Sequence, residues 1–184
     1  MMRPSLLERA GKRAGPAGTG AYVAVLSFVV LAIAGAIGLA LSAPWVFPSL
    51  GATLMLVFGS PRDPSARPLN AAVGHAVGIV AGVLCLLLSG MAGQPSAPAM
   101  GLTPSYLFAA ALSVALTAFV LQALKLPHPP AGATTLIVSL GVISGPVGIL
   151  TMAASLAFTI IAAWAINRLL GEPLPGEQAP GEEP

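Results

Sequence analysis

Four long apolar stretches that contain no charged residue account for much of this chain: residues 21–41, 70–88, 104–124 and 147–167. At a rise of about 1.5 Å per residue, roughly 20 helical residues cross a hydrocarbon core of about 30 Å. The chain is 56% hydrophobic and only 8% charged, whereas a soluble domain carries about 25% charged residues. The sequence therefore predicts an all-α, polytopic helix bundle embedded in a lipid bilayer.

Two further apolar segments, residues 50–59 and 131–142, are too short to cross a bilayer as helices and follow proline-containing breaks. Residues 48–53 read PSLGAT and residues 129–134 read PPAGAT, so the two match at four of six places. An extended stretch covers about 3.3 Å per residue, which lets each break cross part of the membrane and the helix cross the rest. We therefore expect two proline-broken half-helices whose N-termini meet near the bilayer midplane.

The basic residues decide whether these short segments cross. If both cross, Arg62, Arg67, Lys125 and Arg168 lie on the same side as the basic residues of the N-terminus, and the opposite connections carry no charge. This distribution satisfies the positive-inside rule, whereas the alternative without these crossings moves the loop of Arg62 and Arg67 outside. We predict six crossings in an inner or plasma membrane, with both termini cytoplasmic.

Six crossings give a 3+3 inverted-topology repeat, because three crossings separate the two copies of the span–break–half-helix unit. Repeat 1 covers about residues 20–90 and repeat 2 about residues 103–168, within a transmembrane domain at 20–168. Residues 1–19 form a basic cytoplasmic segment. Residues 169–184 hold four of the six acidic residues and four prolines, a composition that predicts disorder.

Several functional classes are excluded by what the apolar segments lack. They contain no carboxylate for acid–base chemistry, and the chain has no GxSxG, HExxH or glycine-rich phosphate-loop motif, so we do not expect an enzyme. Cys85 is the only cysteine and belongs to no Cys/His cluster, so no metal or other cofactor is predicted. No basic run is interleaved with aromatic residues, so nucleic acid is not an expected partner. The oligomeric state stays open, a homo-oligomer included.

The candidate binding site lies where the two half-helices begin. A helix N-terminus offers unpaired N–H groups and about half a positive charge, so two that face each other would bind a small inorganic anion without a buried Arg or Lys. Glycines would allow close approach, hydroxyls would donate hydrogen bonds, and a membrane histidine usually faces a cavity. The predicted substrate-binding residues are Ser49, Gly51, Thr53, His75, His128, Pro130, Gly132 and Thr134.

Each of these features has a structural alternative. Gly51 and Gly132 could be close-packing positions between membrane helices. Thr53 and Thr134 could bond back to carbonyls of their own helices, and the histidines could be hydrogen-bonded only for structure. Asn70 could cap the helix that it begins.

The string His128-Pro129-Pro130-Ala131-Gly132-Ala133-Thr134, the earlier Gly51-Ala52-Thr53 and the pair Gly74-His75 resemble the HPP family of integral membrane proteins. The resemblance covers about residues 20–168. The resemblance implies a transmembrane domain that is usually described with four spans. Plant and cyanobacterial members of the family are linked to nitrite transport. This chain departs from the family pattern at Thr53, where a serine is common, and at Arg62, where a histidine is common; both departures keep an anion donor.

The leading functional hypothesis is therefore a transporter or channel for a small inorganic anion, with nitrite as the first candidate through the resemblance. Binding near the midplane would be combined with movement of one repeat against the other. The alternative hypothesis is a membrane scaffold or sensor subunit that transports nothing, which the small size and the acidic tail permit.

Overall fold

A computed structural model describes residues 4–172, and within this range the chain forms seven α-helices and no strands. Four of them, α1, α3, α5 and α7, are long and apolar enough to cross a membrane. The predicted all-helical membrane bundle is confirmed at this level. The helices are α1 (Leu6–Leu41), α2 (Pro48–Gly59), α3 (Pro68–Leu88), α4 (Ala97–Met100), α5 (Pro104–Ala123), α6 (Ala131–Ser139) and α7 (Gly145–Leu169).

Helix α1 begins at Leu6, within the basic segment, and therefore well before the apolar stretch at 21–41. Ser5 and Glu8 form a reciprocal capping box there, with each side chain accepting from the backbone N–H of the other residue. The helix is kinked where Gly15 adopts a left-handed φ of 58°, and Pro16 then starts the apolar portion. The N-terminal basic residues thus precede the kink and the apolar helix follows it.

The two short helices differ slightly from the predicted segments. Helix α2 begins two residues early, because Pro48 suits the first turn of a helix. Helix α6 ends at Ser139 rather than 142, because Gly141 has a left-handed φ of 70° and packs against the Tyr106 hydroxyl. Helix α6 is therefore only nine residues long.

Helix α3 packs along α6 through three glycines spaced four residues apart. A Cβ atom at Gly74 would lie 2.8 Å from His128 Cβ, one at Gly78 would lie 2.9 Å from the Ala131 carbonyl oxygen, and one at Gly82 would lie 2.8 Å from Val138 Cβ. These contacts advance along both segments together, so α3 and α6 run in the same direction. The close approach is possible only because the glycines carry no side chain.

Helices α2 and α7 also run in the same direction. The Ser155 hydroxyl donates to the Trp45 carbonyl just before α2, and Asn167 Nδ2 donates to the Val57 carbonyl near its end at 2.9 Å. The two bonds follow the same order along both segments, so the segments run parallel. Apolar side chains around Leu54 and Phe58 form the core beside this pair.

The first and last described residues lie at the same end of the bundle as the Arg62 loop. The Leu6 N–H donates to the Leu170 carbonyl at 3.3 Å, and Arg62 forms an ion pair with Glu8. Glu172 is buried and accepts a hydrogen bond from the Leu7 N–H. The rest of the segment predicted to be disordered, residues 173–184, lies outside the described residues.

Candidate functional site

His75 connects the two matching PSLGAT and PPAGAT segments. It lies in the second turn of α3 and is buried. Its Nδ1 is 2.8 Å from Thr134 Oγ1 of α6, and its Nε2 is 3.1 Å from Thr53 Oγ1 of α2. Because the two threonines occupy the same place in the matching segments, one imidazole joins equivalent positions of both.

His128 extends this connection toward the loop before α3. It is buried, its Nε2 lies 3.2 Å from His75 Nε2, and its Nδ1–H donates to the Ser65 carbonyl at 2.8 Å. The two rings meet edge to face, with centroids 4.8 Å apart. We call Thr53, His75, His128 and Thr134 the imidazole–threonine cluster; the structure brings these four predicted site residues into direct contact.

The backbone at the start of α6 differs from the prediction. The N–H groups of Ala131, Gly132 and Ala133 donate to the carbonyls of His128, Pro129 and Pro130 at 3.0–3.2 Å. These three donors are therefore paired within a tight turn, and the predicted set of free N–H groups is wrong for α6. At the start of α2, the Leu50 N–H likewise donates to the Phe47 carbonyl at 3.0 Å. At the start of α6, the donors that remain are side-chain groups, helped by the helix dipole.

The two glycines of the site have open space around them. A Cβ atom at Gly51 or Gly132 would meet nothing within 4 Å, so neither is a close-packing position. Gly132 lines a cavity of about 210 Å³ together with Thr117, His128 and Pro129. The cavity reaches the cluster on its His128 side.

Ser49 and Pro130 lie beside the cluster without joining it. The Ser49 carbonyl accepts from Thr53 Oγ1 at 2.9 Å, but its own buried hydroxyl has no hydrogen-bond partner among residues 4–172. Pro130 is buried immediately before α6 and offers no side-chain donor. The sequence allowed Thr53 to be either a site residue or a hydroxyl bonded to its own helix. In the structure its hydroxyl bonds to its own helix and also contacts His75.

Three supporting interactions were not anticipated from the sequence. Thr135 Oγ1 lies 3.0 Å from Thr117 Oγ1 of α5, which joins α6 to α5. The Ser65 carbonyl contacts His128. Asn70 is not a cap, because its Nδ2 donates to the Pro127 carbonyl at 3.1 Å and so holds the break before α6. Thr135 directly follows the predicted site residue Thr134, but no sequence pattern indicated that it would contact Thr117.

The cluster combines two imidazoles with two hydroxyls. In the described part of the chain, no three His, Cys, Asp or Glu side chains lie close enough to hold a metal ion. Two imidazoles and two hydroxyls can donate, accept and transfer protons. Their burial inside an apolar domain is costly unless the groups are paired, and here they pair with one another.

Comparison with known proteins agrees with the family resemblance. The sequence profile of the HPP transmembrane region matches residues 13–175. A transmembrane protein of Dictyostelium discoideum is 34% identical over 95 residues, which is 51% of this chain and 30% of that relative, so the match spans less than a third of the relative's length. No solved structure matches the chain. Since the HPP profile covers nearly the whole sequence, the chain belongs to the HPP family of transmembrane proteins.

Proposed function

We propose that this protein moves a small inorganic anion across the membrane through the imidazole–threonine cluster. The observation that carries the proposal is the bridge formed by His75 between Thr53 of α2 and Thr134 of α6. A polar connection between two equivalent segments, buried inside an apolar bundle, is costly to keep without a function. Binding or proton transfer at His75 would act on both segments together.

The arrangement of the helices supports a 3+3 inverted repeat. The third helix of repeat 1, α3, runs parallel to α6, the short helix of repeat 2. The third helix of repeat 2, α7, runs parallel to α2, the short helix of repeat 1. This reciprocal exchange of partners is what two related units packed against each other produce. In this proposal α2 and α6 are half-helices that each complete a crossing, and both termini are cytoplasmic.

The chemistry of the cluster favours an anion over a cation. The apolar segments supply no carboxylate, whereas hydroxyls and imidazole N–H groups are donors that suit an oxyanion. An imidazolium would add positive charge when the anion enters. We therefore propose passage of the anion with a proton, and no enzymatic step.

Nitrite is the leading substrate in this proposal, on the strength of the family resemblance. It is a small oxyanion, and the cavity of about 210 Å³ beside His128 and Gly132 is large enough for such an ion together with water. Entry would occur at this cavity. Movement of one repeat against the other would then expose His75 and Thr53 toward the opposite side.

The test is uptake of nitrite into proteoliposomes with and without an inward proton gradient. We expect the wild-type protein to show uptake that the gradient increases. The double variant His128→Ala, Gly132→Leu should lose this uptake, because it removes the imidazole and fills the cavity. Gly20→Leu is the matched control, since Gly20 is exposed and a Cβ there also meets nothing within 4 Å.

Two results would contradict the proposal. Unchanged uptake in the double variant would show that the anion does not pass through the proposed site, although the protein would still be a transporter. A wild-type protein that is folded but moves neither nitrite, nitrate nor chloride would favour the alternative of a non-transporting scaffold or sensor subunit.

A further inference from the structure

Helix α7 presents a buried stripe to α2 that contains three polar residues outside the imidazole–threonine cluster. Ser155, Thr159, Ala163 and Asn167 follow one another at intervals of four, and all four are buried. Residues spaced in this way lie on one face of a helix. The first and last residues of the stripe donate to backbone carbonyls at the two ends of the α2 segment, so this face is the one that contacts α2.

The register of the pair places Thr159 beside the start of α2. Asn167 bonds to the Val57 carbonyl of α2, and Thr159 and Ser49 each lie eight residues earlier on these two parallel helices. Ser49 is the second residue of α2 and lies one turn before Thr53, whose hydroxyl donates to the Ser49 carbonyl. The two hydroxyls are therefore at the same level of the bundle, one turn from the cluster.

Both hydroxyls are buried without a hydrogen-bond partner. Ser49 and Thr159 are each 0% exposed, and neither Ser49 Oγ nor Thr159 Oγ1 is paired with another atom of the described chain. Buried hydroxyls are nearly always hydrogen-bonded, because leaving one unpaired costs its desolvation. Two such groups at one level of the same helix pair indicate a place for a polar ligand.

We propose that Ser49 and Thr159 form a second binding position for the small anion, at the N-terminus of α2. This inference rests on the proposed function and adds α7 to the site. Both hydroxyls can donate to an oxyanion, and the positive end of the α2 dipole favours negative charge at the same place. The anion would pass between this position and the cluster by moving one helical turn along α2.

The experiment titrates sodium nitrite against the purified full-length protein at constant ionic strength and follows its thermal unfolding. Wild-type protein should be stabilised in a saturable manner. Thr159→Val keeps the shape but removes the hydroxyl, and should raise the apparent Kd about tenfold, as expected for one lost hydrogen bond to a charged group. Ser49→Ala should act in the same direction.

Two control variants separate this role from general effects on α7. Thr159→Ser retains a hydroxyl and should bind nitrite like the wild type. If Thr159→Val does not fold, Thr159→Ser and Ser49→Ala still test the proposal. Thr151→Val removes a hydroxyl of the same helix that already bonds to the Val147 carbonyl at 2.9 Å, and should leave the nitrite affinity unchanged.

The inference is overturned if wild-type protein binds nitrite and both Thr159→Val and Ser49→Ala bind it with the same affinity. It is also overturned if Thr159→Val lowers the unfolding temperature without nitrite but keeps the wild-type affinity, since the hydroxyl would then hold a structural water. Wild-type protein that is stabilised by neither nitrite, nitrate nor chloride overturns the proposed function itself, and this inference with it.

Discussion

The Nε2 atoms of His75 and His128 lie 3.2 Å apart, and this contact requires a proton on one of them. Two unprotonated nitrogens would face each other with lone pairs only. The Ser65 carbonyl can only accept, so His128 carries a proton on Nδ1. When His128 is neutral, its Nε2 is therefore an acceptor, and the shared proton belongs to His75.

We predict that neutral His75 is the Nε2–H tautomer and neutral His128 the Nδ1–H tautomer. The single hydroxyl proton of Thr53 is used on the Ser49 carbonyl, so Thr53 Oγ1 can only accept, and the His75 Nε2–H is shared between Thr53 Oγ1 and His128 Nε2. Thr134 then donates to His75 Nδ1. Nitrogen chemical shifts of ¹⁵N-labelled histidine in the purified protein distinguish the tautomers, and a protonated Nδ1 on neutral His75 would contradict the assignment.

An additional proton has a defined route through the same bonds. If His128 becomes doubly protonated, its Nε2–H points at His75 Nε2, which must then accept. His75 passes its Nε2 proton to His128 and takes the hydroxyl proton of Thr134 on its Nδ1, and the added proton replaces it on Thr134. One proton can thus reverse the direction of every bond between His128 and Thr134 with little movement of heavy atoms, which is the behaviour that proton-coupled passage requires.

Gly78 should be among the positions least tolerant of a side chain. A Cβ atom there would lie 2.7 Å from Thr135 Oγ1 and 2.9 Å from the Ala131 carbonyl oxygen, and the backbone cannot move aside easily. We expect Gly78→Ala to lower the free energy of unfolding by about 1–3 kcal/mol, the usual range for overpacking. Denaturant titration in detergent, followed by circular dichroism, measures this change.

Gly132→Ala is the matched control. Gly132 is also helical, but a Cβ there meets nothing within 4 Å. Replacing glycine by alanine inside a helix then stabilises by about 0.5–1 kcal/mol. If both variants lost stability equally, the contact of α3 with α6 would not be as close as the structure has it.

The long helices could be predicted from sequence because hydropathy is a local property. The predicted spans agree with α3, α5 and α7 to within two residues at each end. The end of α6 was missed, because residues 140–142 are still apolar and the left-handed turn at Gly141 depends on packing against Tyr106. The helical start within the basic segment was also missed. The composition of residues 1–19 suggested a solvent segment, whereas the capping box of Ser5 and Glu8 begins a helix there.

The candidate site was predictable in its members but not in its connections. Thr53, His75 and Thr134 stand out by residue type within apolar sequence, yet they are separated by 22 and 59 positions. Their contact depends on the depth of each helix, which hydropathy does not specify. The pairing of the N–H groups at the start of α6 was equally hidden, because it depends on the turn formed by residues 128–130.

Asp63 should make the loop that contacts His128 sensitive to acid. The Ser65 hydroxyl and N–H both donate to Asp63 Oδ1, at 2.6 and 2.8 Å, and these bonds hold the pKa of the Asp63 carboxyl below its usual value. A lowered pKa means that the stabilisation is present above the usual pKa and is lost as the pH falls through the lowered one. The Ser65 turn should therefore loosen only in acid.

Hydrogen exchange of the Ser65 amide between about pH 6 and about pH 2, a range that extends well below the usual Asp pKa, tests this expectation. After correction for the intrinsic rate, protection in the wild type should fall as Asp63 is protonated. Asp63→Asn keeps a side-chain oxygen acceptor but cannot titrate, so its protection should not change over this range. An equal loss of protection in both proteins would assign the effect to another group.

The crossing of α2 can be decided with two exposed serines, one on each side of it. Ser42 precedes α2 and Ser60 follows it, and both are exposed. In a Cys85→Ala background, Ser42→Cys and Ser60→Cys provide single thiols for a membrane-impermeant maleimide. Six crossings predict labelling of Ser42→Cys from outside the cell and of Ser60→Cys only in inside-out vesicles, because Arg62 and the basic N-terminus share the cytoplasmic side.

A third thiol provides the internal control for this labelling. Gln94 is exposed and follows α3, which crosses in either topology, so Gln94→Cys should always label from the side opposite Ser60→Cys. If Ser42→Cys and Ser60→Cys label from the same side, α2 does not cross and the inverted repeat is wrong. The imidazole–threonine cluster would then lie near one membrane face, and transport by exposure to both sides would lose its structural basis.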